Sequence, residues 1–136
     1  MLPLSLLLIG AAPAGELEIA LSALRSGDGQ VRLCLTRDPA FFPDCKGDPQ
    51  ALLLSAPAAP AASLSFTGLP SGDYAVSVFH DENGNGRLDT FARIPREGFG
   101  FSRNPAIRFG PPRFAQARFA VAGARVRQNI HINYIL

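Results

Sequence analysis

The sequence has no tryptophan, a single lysine, two cysteines and two histidines among its 136 residues. Its thirteen basic residues, all but one of them arginine, are scattered along the chain, and the formal net charge is only +2. A nucleic-acid-binding protein normally carries a basic stripe or patch, so its absence argues against a nucleic acid as partner. The length suits one domain.

The sequence also lacks an apolar run of the roughly 20 residues that a membrane-spanning helix needs. A shorter N-terminal run, residues 2–9, precedes Ala-Pro-Ala at residues 12–14, a site typical of signal peptidase cleavage. No lysine or arginine precedes the run, and a first strand with an apolar leader is the alternative. We expect residues 1–14 to be a signal peptide and residues 15–136 to form one periplasmic or secreted domain without a membrane span.

The two cysteines, Cys34 and Cys45, are separated by ten residues, which excludes a CxxC redox or zinc motif. In an oxidising compartment they would close one short loop. A disulfide around a loop of about a dozen residues stabilises a fold by on the order of 3 kcal/mol in the chain-entropy model. We therefore predict a disulfide, with two unrelated buried thiols as the alternative.

Helical periodicity is missing, whereas apolar residues often alternate with polar ones. Residues 16–22 and 30–36 alternate on either side of a Gly-rich turn and predict an antiparallel hairpin. Residues 63–67 also alternate, with Leu64 and Phe66 on one face. Residues 74–79, YAVSVF, are apolar on both faces and predict a central strand. Residues 124–136 alternate cleanly, and residues 115–123 are their expected partner strand. These patterns predict an all-β, antiparallel Ig-like β-sandwich of about seven strands, with a small closed barrel as the alternative.

One long segment, from residue 81 to about 112, shows no strand or helix pattern and is rich in Phe, Arg, Gly and Pro. Irregular loops of more than about 15 residues are uncommon and are usually functional or disordered. We predict one long ordered loop that carries any binding function. Exposed phenylalanines and arginines there would suit a glycan or an acidic envelope protein. Alternatively, the phenylalanines only anchor the loop. The sequence does not indicate an oligomeric state.

The stretch HDENGNGRLDT, residues 80–90, has the ligand spacing of an EF-hand type calcium loop. The predicted ligands are the side chains of Asp81, Asn83, Asn85 and Asp89 and the backbone carbonyl of Arg87. Ca²⁺ prefers six to eight oxygen ligands. The bidentate glutamate of position 12 is replaced by Ala92, so we expect weak affinity, in the ~0.1–1 mM range. The alternative is an ordinary Asn-Gly turn.

A third carboxylate would have to come from outside this nine-residue loop, from Glu82 or Glu97. We predict that Glu97 completes the calcium shell, because two carboxylates merely neutralise the ion and nearby arginines add positive charge. Gly98 and Gly100 are expected to give the backbone the freedom to bring Glu97 round.

Three segments carry a resemblance to a known family: FTGLPSGDYAVSVFHDENGNGRLDT, IPREGFGFS and GPPRFAQARF. They closely resemble a bacterial exported family catalogued as a domain of unknown function, number twenty-one forty-one. The resemblance covers residues 15–134. The part GLPSGDYAVSV also looks like the final strands of prealbumin-like sandwiches, including carboxypeptidase regulatory domains. The resemblance implies a prealbumin-like, Ig-like sandwich and implies no activity.

Catalytic motifs are absent from the sequence, which has no G-x-S-x-G elbow and no H-E-x-x-H helix. A transthyretin-like hydrolase of this fold class ends in Tyr-Arg-Gly-Ser, whereas this chain ends NYIL. We therefore expect a calcium-stabilised, non-catalytic binding or structural module of the cell envelope. The alternative is a metal-assisted hydrolase that uses His80 and Asp81, with Ser102 as a conceivable third group.

Overall fold

The computed structural model describes residues 14–59, 63–87, 90–91, 94–107 and 110–135. Almost all regular structure in this part of the chain is β-strand. The elements are β1 (Gly15–Ser22), β2 (Gln30–Thr36), a 3-10 turn (Pro39–Phe41), β3 (Leu52–Pro57), β4 (Ser63–Leu69), β5 (Gly72–Asp81), β6 (Thr90–Phe91), β7 (Ile94–Pro95), β8 (Gly98–Phe101), α1 (Phe114–Ala117), β9 (Phe119–Val121) and β10 (Arg125–His131).

Two sheets pack face to face as a sandwich, which confirms the predicted fold class. One sheet has the strand order β10-β1-β4, and the other has the order β3-β2-β5-β8, with β9 also paired to β5. Among the described strands, every pairing is antiparallel except that of β1 with β10, which is parallel. The strand predicted to be central, β5, lies between β2 and β8 and is buried along most of its length.

The core forms where the alternating apolar residues of the two sheets face each other. Leu17, Ile19 and Leu21 of β1 are buried, as predicted from their period-two spacing. The same spacing buries Val31, Leu33 and Leu35 of β2, Leu64 and Phe66 of β4, and Ile130 of β10. Local alternation therefore identified the buried faces of β1, β2, β4 and β10 correctly.

The predicted hairpin of β1 with β2 is wrong, because the two strands lie in different sheets. The chain crosses from one sheet to the other through residues 23–29, and Leu24 of this connection packs against the core. The edges of β1 are occupied by β4 and β10 instead. Either pairing would bury the same residues of β1, so the alternation pattern could not distinguish them.

The partner predicted for the last strand is also wrong. Within residues 115–123 the chain forms the end of the one-turn helix α1 and then the short strand β9. β9 pairs with the beginning of β5, from Gly72 to Tyr74, while β10 pairs with β1. This pairing makes β9 the fifth strand of the larger sheet, and α1 directly precedes it in the chain.

The long segment predicted to be irregular contains the short hairpin β6–β7 and the strand β8. All four residues of β8 are buried, so no alternation revealed it. Phe99 and Phe101 are each 7% exposed, which supports the interpretation that phenylalanines anchor this segment. The glycines do not serve as hinges. A Cβ on Gly98 would lie 2.5 Å from Tyr134 Cε1, and one on Gly100 would lie 2.7 Å from Ile130 Cγ2.

The structure joins Cys34 and Cys45 in a disulfide, as predicted. The bond ties the segment after β2, which includes the 3-10 turn, to β2 itself. In the described part of the chain, no helix is long and apolar enough to cross a membrane. The predicted signal peptide falls almost entirely on residues outside those described.

Candidate functional site

The polar loop begins where the central strand ends. Asp81, the last residue of β5, is fully buried. Its Oδ2 accepts hydrogen bonds from Arg32 Nε at 2.7 Å and from the backbone N–H of Gly86 at 2.8 Å. Its Oδ1 accepts from the backbone N–H of Asn85 at 3.2 Å. One carboxylate thus holds both the loop that follows it and the neighbouring strand.

The two asparagines of the loop turn their side-chain oxygens back onto its own backbone. Asn83 Oδ1 accepts from the N–H of Asn85 at 3.2 Å, and Asn85 Oδ1 accepts from the N–H of Arg87 at 2.9 Å. Gly84 and Gly86 have φ angles of +68° and +77°, which glycine adopts without strain. Together these contacts fix residues 81–87 in a compact loop, because side-chain oxygens of Asp81, Asn83 and Asn85 accept from the loop's own backbone N–H groups.

Glu97 lies beside this loop. Its side chain is 5% exposed, and its Oε2 accepts a hydrogen bond from the backbone N–H of Glu82 at 2.6 Å. The position follows from strand pairing, because His80 of β5 is the register partner of Gly98, the residue after Glu97. The structure therefore brings Glu97 to the loop through β8, and not through the glycine flexibility that we expected.

The electrostatics of the loop favour an ionised Asp81. Burial raises the pKa of this carboxyl, but the hydrogen bonds from Arg32 and from the backbone of Gly86 and Asn85 outweigh it and hold the pKa below its ordinary value. The Arg32–Asp81 ion pair is asymmetric, since the arginine side chain is 29% exposed and the aspartate is not exposed at all. A negative charge is thus kept at the base of the loop at neutral pH.

The donor chemistry fits a hard cation. The described candidate ligands are the side-chain oxygens of Asp81, Asn83, Asn85 and Glu97 and the backbone carbonyl of Arg87. Carboxylate, amide and carbonyl oxygens are the ligands that Ca²⁺ takes in proteins. Among the described residues no three acidic, histidine or cysteine side chains cluster closely enough to hold a metal. The fifth predicted side-chain ligand, Asp89, lies outside the described residues.

A second polar cluster lies against the loop. Arg25, from the β1–β2 connection, donates to Glu82 Oε1 from Nε at 3.0 Å and to the Arg96 carbonyl from Nη2 at 3.1 Å. Ser26 donates to the other oxygen of Glu82 at 3.1 Å. The hydrogen bond from Arg25 holds the pKa of Glu82 below its ordinary value, against the effect of burial. Arg25 therefore clamps three separate segments of the chain together.

His80, one residue before Asp81, is fully buried and has a partner at each ring nitrogen. The Asp28 carbonyl lies 2.7 Å from Nε2, and the Tyr134 hydroxyl lies 2.7 Å from Nδ1. Because a carbonyl can only accept, Nε2 carries the proton and Nδ1 accepts from the tyrosine. Tyr134 in turn accepts from the Arg25 backbone N–H at 3.1 Å. His80 is thus an internal connector between the β1–β2 connection and the C-terminal segment.

The structure does not assemble the hydrolytic group that we considered. Ser102 is buried, accepts from the backbone N–H of Val76 at 3.0 Å and donates to the Ala117 carbonyl at 2.6 Å. Val76 lies four positions before His80 on β5, which corresponds to about 13 Å along a strand. Ser102 therefore contacts neither His80 nor Asp81, and its hydroxyl hydrogen is engaged in holding α1 against β5.

Three residues that shape the site were missed by sequence reasoning: Arg25, Arg32 and Tyr134. Arg32 and Tyr134 each occupied a position in an alternating strand pattern, and Arg25 stood in a turn. Each meets its partner across more than 45 positions of sequence, 57 for Arg25 with Glu82 and 49 for Arg32 with Asp81. No local pattern reports such a contact.

Fold and site together define a β-sandwich protein whose central strand leads into a curled, oxygen-rich loop. The chain belongs to a bacterial family described as "Uncharacterized protein conserved in bacteria (DUF2141)", whose family model matches residues 19–129. This match confirms the family resemblance seen in the sequence. No curated protein and no solved structure matches the chain.

Proposed function

We propose that the protein is an exported, calcium-stabilised β-sandwich that acts as a non-catalytic binding or structural module in the cell envelope. The observation that carries the calcium part is the curled loop after β5. Asp81, Asn83 and Asn85 place side-chain oxygens along this loop, and the buried carboxylate of Glu97 accepts from the backbone N–H of Glu82 beside it. Both carboxylates lie in a region of low solvent access, where a divalent cation with oxygen ligands would stabilise their charged forms.

In this proposal the ion competes with Arg32 for Asp81. The guanidinium of Arg32 donates to Asp81 Oδ2, an oxygen that the ion would also use. Arg32 Nη1 already has a second partner in Ser55 Oγ at 3.2 Å, so the side chain can stay in place when the ion takes over its role. We further propose that Asp89 supplies the remaining carboxylate.

Export is supported by the disulfide, because such bonds form and persist in oxidising compartments. It is also supported by the position of β1, which begins at Gly15, the residue that cleavage after Ala-Pro-Ala would leave first. The prealbumin-like arrangement of the sandwich belongs to the same proposal. It is supported by the strand arrangement, because β1 and β4 lie in one sheet and β2 and β5 lie in the other.

The non-catalytic role is supported by the way the reactive groups are used. His80 and Ser102 are buried and hydrogen-bonded to backbone carbonyls or to Tyr134. A nucleophile and its base must come within hydrogen-bond reach of each other. Ser102 and His80 do not. A hydrolase screen on the purified protein should therefore find no turnover, and activity lost in His80→Ala with the fold intact would instead establish the hydrolase.

Thermal unfolding with and without calcium tests the metal proposal. A ligand that binds only the folded state stabilises it by RT ln(1 + [L]/Kd), so millimolar Ca²⁺ should raise the Tm above that measured with chelator. Asp81→Ala should abolish this increment, and Glu97→Gln should reduce it. The matched control is Glu16→Gln, which removes an exposed carboxylate on β1 and should leave the increment unchanged.

The decisive quantity is the difference between the Tm in calcium and the Tm in chelator, and not the Tm itself. Asp81→Ala also removes hydrogen bonds that hold the loop in the absence of metal, so it lowers the Tm under both conditions. Identical melting curves for the wild-type protein in chelator and in calcium would refute the metal proposal. Glu97→Gln keeps an acceptor for the Glu82 N–H, so a loss of the increment in this variant reports on charge and not on loop folding.

Mass spectrometry of the protein recovered from its native cell tests export. We expect a mature chain that begins at Gly15 and is two hydrogens lighter than the reduced form. An intact N-terminus with two free thiols would contradict the proposed location.

A further inference from the structure

A groove lies at the other end of β5 from the polar loop. Its volume is about 770 Å³, within the range of roughly 300–1,000 Å³ typical of ligand sites. It is open along one side, and its walls come from three parts of the chain: the disulfide-closed segment after β2, the start of β5, and the segment around α1. Asp73, at this end of β5, is eight positions from Asp81, so the two regions are about 26 Å apart along the strand.

The groove is electropositive. Arg37, Arg113 and Arg118 line it and are exposed, whereas Asp73 is the one carboxylate among its described lining residues. The Arg118–Asp73 pair is loose, at 3.9 Å with both side chains 55% exposed. Arg113 forms no ion pair with any described residue. Three guanidinium groups against one carboxylate leave a net positive charge facing the groove.

The floor of the groove is apolar and well supported. The rings of Phe42 and Phe114 pack edge to face at 6.1 Å, and Phe42 packs in the same way on Phe101 of β8 at 5.8 Å. Pro43 is held in place because Ser77 of β5 donates to its carbonyl. Phe42 and Phe114 are only half-buried, so their remaining surface is available to a ligand. A rigid floor lowers the entropic cost of binding.

We propose that this groove binds an acidic peptide segment of a partner protein, an inference that rests on the non-catalytic binding role proposed above. Carboxylates of the segment pair with Arg37, Arg113 and Arg118, and its apolar side chains pack on Phe42 and Phe114. Arginine suits this task because its planar fork binds a carboxylate through two parallel hydrogen bonds. Aromatic-lined grooves are a known docking surface for extended, proline-containing peptides.

The composition of the groove favours a peptide over a glycan. A sugar presents many neutral hydroxyl groups, each of which costs free energy when it is buried without a partner. Apart from the three arginines and Asp73, the described lining consists of proline, phenylalanine and alanine. It therefore offers no neutral polar side chain for hydroxyl groups, while it matches a chain that alternates carboxylates with apolar groups.

Fluorescence anisotropy with a labelled nonapeptide, three repeats of Glu-Leu-Pro, tests this proposal. We expect saturable binding at low salt that weakens as the salt concentration rises. Arg113→Glu should weaken binding at least about tenfold, which corresponds to about 1.4 kcal/mol. The matched control is Arg127→Glu on the exposed face of β10, which makes the same change of charge away from the groove and should leave affinity within about twofold. A lysine-for-glutamate version of the peptide should not bind.

The proposal is overturned if the folded wild-type protein does not bind the acidic peptide, or if Arg127→Glu weakens binding as much as Arg113→Glu does. It is also overturned if an oligogalacturonate binds in an Arg113-dependent way while the peptide does not, because the partner is then a glycan. Calcium-dependent melting is measured on the same samples. If calcium raises the Tm but the peptide does not bind, only the proposal for the groove is disproved. If the peptide binds but calcium does not raise the Tm, only the calcium proposal is disproved.

Discussion

The two ends of β5 use the same kinds of charged side chain in opposite ways. At the loop end, Asp81 is fully buried and its partner Arg32 lies 2.7 Å away, within a network of loop hydrogen bonds. At the groove end, Asp73 and Arg118 are both about half exposed and stand 3.9 Å apart. Charges at the loop end are therefore directed inward, and those at the groove end face solvent.

This difference indicates that the loop end of β5 contributes to the stability of the fold, whereas the groove end is expected to bind a partner. A buried carboxylate that satisfies several donors cannot be removed without leaving those donors unpaired, so it stabilises the fold. Exposed, loosely paired arginines contribute little to stability, and they keep their hydrogen-bonding capacity for another molecule. The four predictions that follow test this contrast, with unfolding measured in chelator so that calcium does not contribute.

The largest effect is expected at the loop end. Asp81→Ala removes the acceptor for Arg32 and for the backbone N–H groups of Gly86 and Asn85, and we expect a loss of about 3 kcal/mol in the free energy of unfolding. Asp81→Asn, which keeps one acceptor oxygen, should lose less. Urea unfolding monitored by circular dichroism measures both. If Asp81→Ala is as stable as wild type, the hydrogen bonds accepted by Asp81 do not hold the loop in place.

The packing that positions Glu97 is expected to be nearly as sensitive. In Gly98→Ala the new methyl group would lie 2.5 Å from Tyr134 Cε1 and 2.6 Å from Ile132 Cγ2, so the C-terminal segment must shift. Overpacking of this kind costs typically about 2 kcal/mol. Gly27→Ala is the control, since its methyl group would meet only the Ala58 carbonyl at 3.7 Å. Equal urea midpoints for the two variants would show that β8 has room to adjust.

A smaller, pH-dependent effect is expected at Glu82. Its pKa in the folded protein is lowered by Arg25, so its contribution is complete above the ordinary glutamate value of 4.5 and is lost as the pH falls below that value. Wild type should exceed Glu82→Gln in stability by about 1 kcal/mol at neutral pH, and the difference should shrink toward pH 3. Urea unfolding across this range measures it. A difference that stays constant with pH would show that the charge of Glu82 is not involved.

The smallest effect is expected at the groove end. Asp73→Ala breaks the loose pair with Arg118, and we expect a change in unfolding free energy of less than about 0.5 kcal/mol. The same variant should bind the acidic peptide at least as well as wild type, because a competing carboxylate is gone. A loss of stability as large as that of Asp81→Ala would erase the contrast between the two ends.

The sequence was informative wherever a property depends on neighbouring residues. Period-two spacing identified the buried faces of β1, β2, β4 and β10, and the apolar run of residues 74–79 identified the central strand. The spacing of oxygen-bearing residues in 80–90 identified a loop in which the side-chain oxygens of Asp81, Asn83 and Asn85 accept from backbone N–H groups of the same loop. The strand β8 escaped detection because both of its faces are buried: β10 and the C-terminal segment cover the glycine face, and Phe42 and α1 cover the phenylalanine face.

What the sequence by itself determined is the all-β character, the composition of the core and the disulfide pair, since alternation and cysteine spacing are local properties of the chain. Only the tertiary structure decided that β1 joins β10 rather than β2, that Arg32 meets Asp81, and that Arg37, Arg113 and Arg118 gather around one groove. The physical reason is that strand edges present the same N–H and C=O groups whatever their neighbour. The choice among neighbours is therefore made by packing across the sandwich, between residues far apart in the chain.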